Sequence, residues 1–284
     1  MATIEYMPAR LTPKETEDLR QAVACLEGAS FAQRLTDSVG RPVEILSRAI
    51  PQSARRVITH ASEVALRGAL KFALRTLDLK GSSKPANRAH QLAAAASGAL
   101  GGALGLAALP LELPISTTIL LRSIAEIARE EGEDLSAPGA AFACLEVFAL
   151  GGQAGGEAAF ESGYFAVRAA LAKSVSDSAR FVVGQGIAVL PAPMVARLIS
   201  QIAARFGIVV TEKLAAQAAP ILGAIGGAAV NAAFADHFQT LARGHFIVRR
   251  LERLHGASAV AFEYQRLQGE RATREYAGSQ RAAS

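Results

Sequence analysis

The sequence predicts an all-α fold: a single compact multi-helix bundle whose Ala/Gly-rich helices pack closely. Three observations carry this expectation. Apolar residues recur at helical spacing through the long segments, and no stretch shows sustained β-alternation. Caps, prolines and glycines punctuate those segments where helices start and stop. Hydrophobic residues make up 51% of the chain but aromatics only 6%, with no Trp, so small and aliphatic side chains must build the core. Such side chains let helix backbones approach one another.

The chain has 284 residues, enough for one large domain or two small ones. The expected organisation is an N-terminal arm over 1–11, a helical domain over 12–256, and a polar tail over 257–284. About the last ten residues of that tail are expected to be disordered.

The first helix starts at Thr12-Pro13-Lys14-Glu15, which supplies a cap, a proline at the first helical position and a glutamate three residues after the cap. Leu19, Val23 and Leu26 form its apolar face, and Gly28 stops it. A shorter segment from Arg34 to Ile50 is broken by Gly40-Arg41-Pro42. Ser53 is expected to cap a long helix reaching Leu79, with Val57, Val64, Leu70, Leu74 and Leu77 at helical spacing. Leu92–Leu109 holds no charge and is followed by Pro110 and Pro114, after which a new helix is expected from Ser116 to Glu133. A further helix is expected after a Ser136 cap, ending at Gly151-Gly152. Helical segments follow over 156–183, 193–219 and 221–254, with short extended pieces expected at Phe181–Val189 and Gly207–Val210.

Glycine pairs at i,i+4 recur: Gly98/Gly102, Gly101/Gly105, Gly151/Gly155, Gly152/Gly156 and Gly223/Gly227. A helical glycine costs about 1 kcal/mol relative to Ala, so close backbone approach is the expected compensation. Leu92–Leu111 has the roughly 20 residues that a bilayer span needs. Its Ala and Gly content adds little insertion energy, so a buried hairpin arm is expected, with shallow membrane docking as the alternative.

The formal charge of +5 is unevenly placed. Ser53–His90 carries Arg55, Arg56, Arg67, Lys71, Arg75, Lys80, Lys84 and Arg88 against Glu63 and Asp78, a local +6. Arg67, Lys71 and Arg75 lie four apart on one stripe. With Lys80, Lys84 and Arg88 they form the expected site for anionic lipid or an acidic partner. Nucleic acid is not expected, because the stripe lacks interleaved stacking aromatics.

Cys25 and Cys144 have neither disulfide-framework nor metal-ligand spacing, which suits a reduced, cytoplasmic chain. The N-terminal residues show no apolar signal-peptide core. Phosphate-loop, dinucleotide-binding, nucleophile-elbow and H-E-x-x-H motifs are all missing, and no cofactor or metal is expected. His237 and His245 fall eight apart in one helix, about 80° apart around its axis. Arg122, Glu126, Arg129 and Glu133 read as an ion-pair ladder. Glu112 and Glu146 stand in apolar sequence and each needs a partner.

Two blocks carry more specific information: LPLELPISTTILLRSIAEIAREEGEDL at Leu109–Leu135 with ACLEVFALGG at Ala143–Gly152, and the run from Pro220 to Gly256. Together they resemble the EcsC protein family over Thr12–Gly256. The resemblance implies a helical bacterial cytoplasmic protein. It also implies a link to transport or its regulation, because the family's namesake is encoded beside ABC transporter subunits; no catalytic residues come with it. Matching positions include Pro110, Glu112, Pro114, Thr117, Arg122, Glu126, Glu146, Gly151, Asn231, His237, Gly244, His245, Arg249 and Arg250. Among these, Glu112, Arg122, Glu126, Glu146, Asn231, His237, His245, Arg249 and Arg250 form a candidate polar constellation.

The leading expectation is a non-enzymatic accessory protein, peripheral on the inner face of the cell membrane, with ABC transporter subunits as candidate partners. Alternatives are a hydrolase-like enzyme using Glu112, His237 and His245, with or without a metal, and a soluble helical homo-oligomer joined through its glycine faces.

Overall fold

A computed structural model describes residues 11–39, 43–76, 109–152, 163–185, 192–218 and 223–282. Among them the chain forms ten helices and no strands: α1 Pro13–Leu26, α2 Phe31–Val39, α3 Val43–Arg48, α4 Gln52–Thr76, α5 Leu109–Glu130, α6 Pro138–Leu150, α7 Tyr164–Gln185, α8 Pro193–Gln217, α9 Gly223–His255 and α10 Ala257–Ala282. The protein is all-α. It divides into two compact units, one of residues 29–242 and one of 1–28 with 243–284, and α9 contributes to both.

In the larger unit α8 is the central helix, packed against α2, α3, α4, α6 and α7. α5 packs against α4 and α6. Every residue of α6 from Ala140 to Leu150 is buried, so this helix has no solvent face. Phe148 of α6, Phe206 of α8 and Phe238 of α9 meet at ring-centroid distances of 5.0, 5.2 and 5.6 Å. The arrangement is edge-to-face or tilted, as ring quadrupoles favour. Each buried Phe contributes about 1.5–3 kcal/mol of burial energy. Three of the chain's few aromatics thus meet at one point of the core.

Close backbone approach is real at Gly152. A Cβ there would lie 2.3 Å from the carbonyl oxygen of Arg205, so no other residue fits. Of the segment Leu92–Leu109, residues 92–108 with their glycine pairs lie outside the described residues, as do Gly155, Gly156, Lys80, Lys84 and Arg88. α8 is the one described helix long and apolar enough to cross a membrane, with mean hydropathy 1.4 over a window that is 56% buried inside the protein. A central core helix has the same composition.

The smaller unit joins α1, the end of α9 and α10. Thr12 and Glu15 form the expected capping box. A Cβ on Gly244 would come within 2.7 Å of Leu26 Cγ and 3.0 Å of the Ala22 carbonyl, so α9 lies close against α1. His255 and Glu15 pair at 2.9 Å, Arg250 and Asp18 at 3.0 Å, and Tyr264 donates to Glu27 at 2.8 Å. Arg271 donates to the Val23 and Ala24 carbonyls at the end of α1. The turn between α9 and α10 needs Gly256, whose φ is +85°.

Several expected boundaries differ. Pro110 and Pro114 do not interrupt the chain before Ser116: α5 starts at Leu109 and contains both. Pro110 sits in the first turn, where its missing N–H removes no helical bond. α4 starts at Gln52 rather than after a Ser53 cap. Ala137 precedes α6, because Ser136 spends its hydroxyl on Asp134 at 2.6 Å. The extended pieces are corrected where they are described: Phe181–Gln185 ends α7, with 186–189 outside the described residues, and Gly207–Val210 lies inside α8, where β-branched residues are tolerated because packing dominates propensity. The tail expected to be partly disordered is helical to Ala282. Buried Val260, Tyr264 and Leu267 anchor it, and Arg266 links to Glu263 and Glu270.

Candidate functional site

Glu112 lies in the first turn of α5, where unpaired helix N–H groups favour a carboxylate. Its partner is Lys213 of α8, whose Nζ donates to Glu112 Oε1 at 2.6 Å. Side-chain exposure is 3% for the lysine and 6% for the glutamate, so the pair is sealed from water. Lys213 Nζ also stands 4.8 Å from the Phe234 ring centroid, which gives the ammonium a second electrostatic contact. Burial pulls the Lys213 pKa down while Glu112 pulls it back up, and the net shift is downward. The pair ties α5 to α8. Sequence reading expected a partner for Glu112 but missed Lys213. The available signal was the Glu212-Lys213 dipeptide, two charges interrupting the apolar run of α8 from Phe206 to Ala216.

His237 is buried among Phe31 at 5.1 Å, Phe238 at 5.3 Å and the backbone of Gly151. A Cβ on Gly151 would reach 3.1 Å from His237 Nε2. The Gly151 backbone thus lies close beside the ring, and neither ring nitrogen has a hydrogen-bond partner of good geometry among the described residues. Burial, then the positive charge of Arg34, lowers the His237 pKa to about 3, against a small opposing effect of the Gly151 backbone. The ring is therefore neutral at physiological pH and serves as a packing group.

The other expected site residues are spread over the fold. Glu146 is buried within α6 and Asn231 within α9. Arg122 is exposed and covers the Phe72 ring at 5.8 Å, while Glu126 is half-buried. Glu133 falls past the end of α5, after the turn at Gly132, so it is not part of that helix's stripe. His245, Arg249 and Arg250 belong to the smaller unit: His245 is fully buried with its ring 4.9 Å from Phe246, and Arg250 holds Asp18. Glu112, Glu146, Asn231 and His237 belong to the larger unit. Among the described residues no cluster of three His, Cys, Asp or Glu could hold a metal ion.

α4 presents a different kind of surface. Its exposed positions run Ser53, Val57, His60, Val64, Arg67, Lys71 and Arg75, with Arg56 alongside. Val57 is 47% and Val64 is 50% exposed. Arg55 is committed to the Ser47 and Ile50 carbonyls, and Glu63 accepts from Ser200 at 2.7 Å. Arg56, Arg67, Lys71 and Arg75 make no ion pair among the described residues. Long cationic side chains thus flank two exposed valines on a single helix face. Chemically, that face can neutralise phosphates while its apolar stems and valines meet hydrocarbon.

A model of the EcsC protein family matches residues 14–251. α10 lies beyond the matched region. No curated protein and no solved structure matches the chain.

Proposed function

Since the chain belongs to the EcsC protein family, which brings no catalytic constellation to test, we propose that it is a non-enzymatic accessory protein that docks on the anionic cytoplasmic face of the membrane through α4. The observation that carries this reading is the exposed stripe of Arg56, Arg67, Lys71 and Arg75 around Val57 and Val64. Each cation near an anionic surface contributes about 1 kcal/mol, so four supply useful but reversible binding. Leu111 and Ile115, one turn apart on α5 and 74% and 47% exposed, add apolar surface of the kind such docking uses. A role beside ABC-type transporter subunits, at the same cytoplasmic face, is part of the proposal.

Co-sedimentation with lipid vesicles tests it. The protein is expected to bind vesicles containing phosphatidylglycerol, to ignore pure phosphatidylcholine, and to release at high salt. The combined variant R67E/K71E/R75E is expected to abolish binding while keeping the helical circular dichroism spectrum. Equal recovery of wild type and variant with the anionic vesicles would reject the proposal.

The hydrolase-like alternative draws less support. Glu112 is committed to Lys213, and His237 is held neutral among aromatic rings without a hydrogen-bonded nucleophile among the described residues.

A further inference from the structure

The seam between α4 and α5, the most extensive helix contact of the larger unit, carries a cation that the α4 stripe does not include. Arg122 of α5 is exposed, and its guanidinium carbon stands 5.8 Å from the centroid of the Phe72 ring of α4. The ring restrains a long side chain that would otherwise sample many rotamers. A stacked guanidinium keeps its N–H edge available, and Arg122 makes no ion pair among the described residues.

Phe72 has a cation beside it on its own helix as well. Arg75 lies at i+3, where helical neighbours have Cβ atoms about 5–6 Å apart, and it is exposed. On the other side of the ring, at i−4, is Gly68. This glycine is exposed in the interior of a 25-residue helix, and a Cβ there would meet nothing within 4 Å. Packing inside the protein therefore does not account for a residue that weakens the helix relative to Ala. Its effect is an open notch on the outer face, one turn from Phe72. The local charge is one-sided. From Val64 to Thr76 α4 has no acidic residue, and the chain from 77 to 108 has only Asp78 against Lys80, Lys84 and Arg88. On α5 the exposed stripe leading to Arg122 is apolar, Leu111 and Ile115, and the nearest carboxylate along the helix is the half-buried Glu126.

We propose that Gly68, Phe72 and Arg75 of α4 together with Arg122 of α5 bind the phosphomonoester headgroup of an anionic phospholipid. The proposal rests on the membrane reading above and names the headgroup that this face selects. A phosphodiester headgroup offers two unesterified oxygens and one negative charge. A phosphomonoester offers three oxygens and a charge of about −1.5 to −2 near neutral pH. Two guanidinium groups, one from each helix, can both donate to three oxygens, whereas two oxygens are filled by a single fork. The notch at Gly68 lets the phosphate approach the helix surface beside the ring. Arg67 and Lys71 attract any anionic surface and do not discriminate between the two headgroups. Leu111 and Ile115, on the same face of α5 as Arg122, meet the hydrocarbon beneath.

Co-sedimentation of the full chain with two kinds of vesicle tests this. Phosphatidylcholine vesicles carry either phosphatidic acid or phosphatidylglycerol, in amounts adjusted to equal zeta potential. The wild type is expected to bind the phosphatidic acid vesicles about tenfold more tightly, as one additional charge-assisted contact gives. R122K keeps the charge and loses the fork, so it is expected to retain phosphatidylglycerol binding and lose the preference. G68L fills the notch without altering charge and is expected to lose the preference likewise. Equal binding of both vesicles by the wild type, or an undiminished preference in R122K, overturns the headgroup site and leaves the membrane reading standing. Failure to bind either vesicle overturns both. Binding of inorganic phosphate at micromolar concentration in calorimetry without vesicles assigns the site to a soluble anion and overturns the lipid assignment. Should R122K lose its helical circular dichroism spectrum, G68L decides: a lost preference supports the site and an unaltered one overturns it.

Discussion

In the larger unit, Lys213 on α8 is bound at 2.6 Å to Glu112 and nearly sealed from water, whereas Arg67, Lys71 and Arg75 on α4, a helix packed directly against α8, stand exposed with no ion pair among the described residues. The same positive charge has opposite standing in the two places. Inside, an ammonium must have a carboxylate or lose its proton, so pairing is compulsory and the pair serves to fasten α5 to α8. Outside, water satisfies each cation, so pairing is optional and the charges remain free for another surface. Charge that is paired and buried is part of the scaffold; charge that is solvated and concentrated on one helix face is the better guide to a partner.

Breaking the buried side of this contrast gives the largest effect. Lys213→Ala leaves an uncompensated buried Glu112 and is expected to lower stability by about 3–5 kcal/mol in denaturant unfolding. Replacing both partners, K213M with E112L, is expected to recover most of that loss. A single variant as stable as wild type would show the pair to be hydrated in solution.

Close packing around the same core gives the next effect. Gly152→Ala places a methyl 2.3 Å from the Arg205 carbonyl, a backbone atom that cannot swing aside. Its expected cost is about 1–3 kcal/mol, read as a lower melting temperature. Gly139→Ala is the control, since nothing lies within 4 Å of its Cβ position, and no loss is expected there.

On the exposed side, Arg67→Ala is expected to change stability by less than about 0.5 kcal/mol while weakening binding to anionic vesicles. A large stability loss would mean that α4 is scaffold on its outer face as well.

The smallest effect concerns Glu15 in the smaller unit. The Thr12 N–H first, then His255, hold its carboxyl down at about 2. That contribution is present above pH 4.5 and is lost as pH falls toward 2. Exchange protection of α1 is expected to decline over that window in the wild type and to lose this pH dependence in Glu15→Gln.

Local features were legible in the sequence because helix caps and periods act over a few residues. Thr12, Pro13 and Glu15 announced α1, and Arg67, Lys71 and Arg75 announced the cationic stripe of α4, whereas Val57 and Val64, grouped with Leu70 as apolar positions, stand exposed. The helical character of α5 was legible, but its start was displaced, because Pro110 in the first turn and Pro114 inside the helix were read as breaks. The polar tail was misread because its apolar anchors, Val260, Tyr264 and Leu267, are too sparse to signal a helix without the α1 surface they cover. In the candidate constellation, Glu112 was correctly singled out as needing a partner, but the partner lies 101 residues away.

By itself the sequence determined the helical class, the family, most helix positions and the concentration of positive charge between Ser53 and Thr76, since each follows from spacing along the chain. Tertiary structure alone decided that Lys213 meets Glu112, that Gly152 meets the Arg205 carbonyl, and that His237 is walled in by Phe31 and Phe238. The physical reason is that burial and electrostatic partnership depend on which helices lie side by side, and helical periodicity is silent on neighbours distant in the chain.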